Sequence, residues 1–180
     1  MRTLLRSEVD PLLLVVGLKI GNWNELADIA AGGVLRKAYR PPNNAIELYV
    51  AAGHLLNWLA PEGWTLLQVD NSTAPTDDEI RVFERLVFGD DRTWDVGGQR
   101  SFLFDDAGKT EFGADQATLV LLVFFSLLFE WHVYLTSQSS TGGRRLGLLD
   151  GVAYFFGDAK TIEQADMLTT CVAEDPLRLS

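Results

Sequence analysis

The sequence predicts an α+β domain: a mostly antiparallel sheet with a carboxyl-terminal three-strand meander, packed against several helices including one buried apolar helix. Three observations carry this reading. Trp131 to Ser137, Arg145 to Leu149 and Val152 to Phe156 are short β segments, joined by the polar Gln138–Gly143 stretch and by the hairpin signal Asp150-Gly151. Two capping-box patterns, Asn44 with Glu47 and Thr76 with Glu79, mark helix starts. Ala117 to Phe129 is an uncharged apolar run, and no regular strand–helix–strand alternation surrounds it, which favours antiparallel pairing.

Along the chain, Pro11 to Leu18 is an apolar run after Arg2 and Arg6 that imitates a secretory signal. Glu8 and Asp10 stand where such a signal carries only positive charge, so a folded segment is expected. Trp23 to Ala31 has helical spacing and ends at Gly32-Gly33. The helix opening at Asn44 is expected to bury Ile46, Tyr49, Val50, Gly53 and Leu56, and Pro61-Glu62-Gly63 stops it. Trp64 to Val69 reads as a strand, and the Thr76 helix runs through Ile80, Phe83 and Val87 to Gly89. Ser101 to Phe104 reads as a short strand in an edge hairpin. The apolar run falls well short of the ~20 residues that span a bilayer, and Glu130 and His132 end it, so it is expected to be a core helix. Asp158 caps a last helix carrying Ile162, Ala165, Leu168 and Val172, which ends before Pro176.

No repeat, linker or low-complexity tract divides the 180 residues, so a single domain over 1–180 is expected. Cys171 is the one cysteine and cannot form an internal disulfide, which fits a reducing, cytoplasmic setting. Fifteen Lys and Arg against 25 Asp and Glu give a formal charge of −10. That balance opposes nucleic-acid binding, which needs clustered positive charge; it suits a basic protein partner, and it is also common in cytosolic proteins simply for solubility.

Catalytic equipment is sparse. The two histidines are His54, near the apolar stripe of its helix, and His132, which alternates with Trp131 and Val133 and would share a strand face with Glu130 and Tyr134. A Glu130/His132 couple could carry proton transfer, in an enzyme or a small-molecule-binding module, and an ordinary strand face is the alternative. Cys171 lies near a buried stripe, and no ligand spacing suggests zinc or calcium. Gly32-Gly33, Gly97-Gly98 and Gly142-Gly143 lack the context of a phosphate-binding loop, so no cofactor is expected. Two acids held at a defined separation can run glycoside hydrolysis, but the adjacent acids Asp77-Asp78, Asp90-Asp91 and Asp105-Asp106 fall in loops and helix starts, where solvated caps are the commoner role.

Asp77, Asp78, Glu79, Asp90, Asp91, Trp94, Asp95, Asp105 and Asp106, with Trp64 nearby, form acidic loops interleaved with aromatics. Aromatic anchors ringed by charge are what protein interfaces use, so these nine residues are the expected partner-binding set. Trp131–Ser137 and Gly143–Phe156, taken with the acidic composition, resemble the tail of bacterial immunity proteins that neutralise a cognate secreted toxin. The resemblance implies a cytoplasmic, non-enzymatic inhibitor that occludes the toxin's basic cleft. A structural, oligomer-forming protein is the remaining alternative; its sign would be a large exposed apolar patch together with a stable dimer.

Overall fold

The computed structural model describes residues 2–18, 35–59, 63–69, 76–79, 81–82, 100–104, 114–138, 144–169 and 176–177. Their strands are β1 (Arg2–Leu4), β2 (Leu35–Tyr39), β3 (Thr65–Val69), β4 (Arg100–Phe104), β5 (Val133–Ser137), β6 (Arg144–Leu149), β7 (Val152–Gly157) and β8 (Pro176–Leu177). The longer helices are α1 (Arg6–Val15), α2 (Ala45–Leu59), α3 (Ala114–Leu128) and α4 (Ala159–Thr169). A further helical segment includes Asp77–Glu79, Arg81 and Val82. The fold is α+β, as expected.

All eight strands join one sheet in the order β1-β4-β3-β5-β6-β7-β2-β8, and every pair is antiparallel. The predicted meander β5-β6-β7 lies in the middle of that order. Its Asp150-Gly151 turn takes φ of 51° and 68°, the left-handed pair that a two-residue hairpin needs to match strand twist.

Alternation along the strands sorts side chains between two cores. Leu67, Val69, Phe102, Phe104, Val133, Leu135, Leu146, Leu148, Ala153 and Phe155 join the large cluster with residues of α2, α3 and α4. On the opposite face Leu66 and Leu103 pack with Val9 and Leu13 of α1 and with Leu4 and Leu18. β3 is therefore buried at every position, as a strand covered on both faces should be.

The edge-hairpin reading of Ser101–Phe104 is corrected. β4 is an interior strand, paired with β3 on one side and with β1 on the other through Arg2↔Leu103, Thr3↔Phe102 and Leu4↔Ser101. A three-residue strand shows no periodicity of its own, and its partner lies almost a hundred residues away, so local pattern carried no trace of it.

Helix ends follow local chemistry more closely. Asn44 Oδ1 accepts from the Glu47 backbone N–H at 2.9 Å, and Asp158 Oδ1 accepts from that of Thr161 at 2.8 Å. Glu8, which spoils the signal-like opening, accepts from the Leu5 N–H at 2.8 Å and so secures the start of α1. α2 has no basic residue in its last turn, and Arg144 of β6 supplies one from outside. It donates to the Trp58 carbonyl and, at 2.8 Å, to Gln164 Oε1, which ties α2 to β6 and α4. No helix among the described residues is long and apolar enough to cross a membrane.

Candidate interaction surface

α2 is apolar almost all round: Glu47, His54 and Asn57 are its only strongly polar side chains. Its buried side is formed by Leu48, Ala51, Ala52, Leu55, Leu56, Trp58 and Leu59. Trp58 anchors that side, meeting Phe155 edge-on at 4.7 Å and donating its indole N–H to the Thr161 carbonyl at 3.0 Å.

The predicted stripe is thereby corrected. Leu56 is buried, but Ile46, Tyr49 and Val50 are 79%, 51% and 50% exposed, and Gly53 is partly exposed. The side of α2 that carries Leu48, Leu55, Trp58 and Leu59 faces the core, which turns Ile46, Tyr49 and Val50 to solvent.

α3 completes the surface. Leu119, Val120, Leu122, Val123, Phe125 and Leu127 are buried, while Ala117 is exposed, Leu121 and Phe124 are partly buried and Leu128 is 40% exposed. Ala117, Leu121, Phe124 and Leu128 are spaced i, i+4, i+7 and i+11, so they line one side of the helix. The Tyr49 and Phe124 rings meet edge-on at 5.9 Å, which joins this line to the exposed residues of α2. The result is one apolar face shared by two helices. Contiguous exposed apolar area of this kind marks interaction sites, unlike scattered surface leucines.

From Tyr49 a row of rings continues inward through Phe124, Phe125 and Phe129 to Trp131, with successive centroids 5.9, 5.3, 5.7 and 5.6 Å apart. The Trp131 indole N–H then donates to Glu79 Oε2 at 3.3 Å. This places the acidic Asp77–Glu79 turn beside the end of α3.

Of the nine expected partner-binding residues, the structure describes three. Asp77 and Asp78 are exposed, with Asp78 3.6 Å from Arg81. Glu79 is partly buried and has structural work: its carboxylate accepts from the Thr76 N–H at 2.8 Å, its own N–H donates to Thr76 Oγ1 at 3.3 Å, and it holds Trp131. Asp90, Asp91, Trp94, Asp95, Asp105 and Asp106 lie outside the described residues, as do Cys171, Val172 and the segment Trp23–Ala31. The sequence pattern places the apolar members of the α2 face in the core, because a single stripe accounts for its helical spacing. The signal that reveals them is excess: a helix with three strongly polar residues in fifteen has more apolar surface than one buried face uses.

The Glu130/His132 couple is rearranged as well. β5 begins at Val133, so His132 precedes the strand, and its Nε2 lies 2.8 Å from Asp150 Oδ1. Glu130 sits in the left-handed region at φ 55° and closes α3, with the Trp131 N–H donating to the Ser126 carbonyl at 2.9 Å in a Schellman-type end. Tyr134 packs against the α1 cluster. His132 and Asp150 thus pin the approach to β5 against the β6–β7 turn. Among the described residues no three His, Cys, Asp or Glu side chains gather to hold a metal ion.

The class of molecule these features define is an α+β domain with a two-helix apolar surface flanked by carboxylates. Comparisons of the chain with protein-family models, with curated proteins and with solved structures found no match.

Proposed function

We propose that this protein is a non-enzymatic, protein-binding inhibitor acting in the cytoplasm, of the kind that neutralises a cognate bacterial toxin, and that it engages its partner through the outer face of α2 and α3. The single observation behind this reading is the contiguous apolar face in which exposed Ile46, Tyr49, Val50 and Leu128 join partly exposed Phe124 across two helices; the other exposed large apolar residues among those described, Leu5, Leu14, Val15 and Val82, lie on other segments. Neither helix carries a Lys or Arg, the exposed Glu47 borders the face, and Glu130 follows its far end. A basic partner surface complements that arrangement, with Asp77 and Asp78 as flanking carboxylates.

The test is capture with tagged chain from toxin-bearing cells. The expected partner is cationic, elutes as salt rises and is lost on Tyr49→Glu; protection of cells from that partner should be lost with it. Capture unchanged by Tyr49→Glu and Ile46→Glu would sink the proposal. The same face also suits a second reading, an oligomer-forming protein, because apolar patches drive self-association. A symmetric dimer would bring the same carboxylates of two acidic chains together, which favours the hetero-partner. A concentration-independent dimer by light scattering, dispersed by Tyr49→Glu, would reverse that preference.

A further inference from the structure

Resting on that docking face, we infer that the element it receives is a basic amphipathic α-helix, laid along the seam between α2 and α3. The first support is shape. Ala117 to Leu128 spans three turns, ~16 Å at 1.5 Å per residue, and α2 contributes Ile46, Tyr49, Val50 and Gly53 at i, i+3, i+4 and i+7. Two adjacent helical stripes, that of α2 being ~10 Å long, present ridges and a groove to a third helix. An added strand would need a free sheet edge, whereas this face is built of helices.

The second support is independent and sits at Gly53. Glycine inside a helix is unfavourable relative to alanine, so its presence usually answers a packing need. Among the described residues there is no such need: a Cβ built on Gly53 meets nothing within 4 Å. Gly53 stands one turn beyond Tyr49 on the exposed face, where a missing Cβ lets an external backbone approach closely. The third support is charge. With no Lys or Arg on either helix and carboxylates at Glu47 and Glu130, the approaching helix carries its Lys and Arg beside an apolar stripe.

The test uses the full chain and a fluorescent Leu/Lys amphipathic peptide of about 18 residues, five helical turns. The controls are a Leu/Glu peptide with the same pattern and a Leu/Lys peptide scrambled to remove its apolar face. Saturable binding of the patterned Leu/Lys peptide is expected, with both controls at least about tenfold weaker. Gly53→Ala should raise the Tm of the free protein yet weaken peptide binding about tenfold, an opposition that a merely structural glycine cannot produce. Equal binding of the scrambled peptide, or binding unaffected by Gly53→Ala, overturns the inference. If the captured natural partner is lost on Tyr49→Glu but indifferent to Gly53→Leu, the helix inference fails while the docking face stands. If Tyr49→Glu leaves capture unchanged, the docking face fails too.

Discussion

Trp58 and Tyr49 belong to the same helix, and their surroundings are opposite. The indole of Trp58 is wholly buried, packed on Phe155 and bonded to the Thr161 carbonyl, whereas half of Tyr49 faces solvent and its one described ring contact is the partly exposed Phe124. α3 repeats the contrast between buried Phe125 and exposed Leu128. The inner sides of both helices close the core. Their outer sides are also apolar, and Ile46, Tyr49, Val50 and Leu128 lie outside the core cluster. Apolar residues retained where folding gains little from them are the ones to examine for binding.

The sharpest way to test that contrast is to truncate its inner member. Trp58→Ala should cost ~3–5 kcal/mol in chemical denaturation, through the cavity and the Thr161 carbonyl left without its donor. A loss as small as that at an exposed site would erase the distinction. Gly157→Ala probes the same inner layer by crowding, since its Cβ would lie 2.8 Å from Thr161 Cγ2 and 3.0 Å from Thr161 Cβ. A cost of ~1–3 kcal/mol is expected, with partial recovery in Gly157→Ala combined with Thr161→Ser, which removes the clashing methyl.

At the end of α3, Glu130→Gly relieves a left-handed residue, and a gain of ~1 kcal/mol is expected by thermal unfolding. The start of α4 gives a pH test. The hydroxyl and backbone N–H of Thr161 hold the Asp158 carboxyl below its ordinary range. A carboxyl depressed in the folded state stabilises above its unfolded pKa of ~3.9 and loses that contribution as pH falls through the lower folded value. Wild type should therefore exceed Asp158→Ala in Tm by a constant margin from neutrality down to about pH 4, with the margin shrinking at more acid pH. A margin unchanged below that point would assign the cap to geometry and not to charge.

The smallest stability effects belong to the outer face. Ile46→Ser and Tyr49→Ser should each stay within ~0.5 kcal/mol of wild type by denaturation, since neither removes a buried group. A cost as large as that of Trp58→Ala would mean that the outer face is core after all.

What the sequence determined by itself is local. The caps at Asn44, Thr76 and Asp158 each close through a hydrogen bond to a residue three positions on, and the Asp150-Gly151 turn joins neighbouring strands, so a short window holds all the chemistry involved. The apolar run of α3 and the meander were legible for the same reason. Tertiary structure alone decided that β1 pairs with β4, that His132 meets Asp150 and that α2 turns Trp58 inward and Tyr49 outward. On a helix apolar on every side, periodicity cannot choose the buried face. The choice falls to the shapes of α3, α4 and the sheet it packs against, which are assembled from residues far away along the chain.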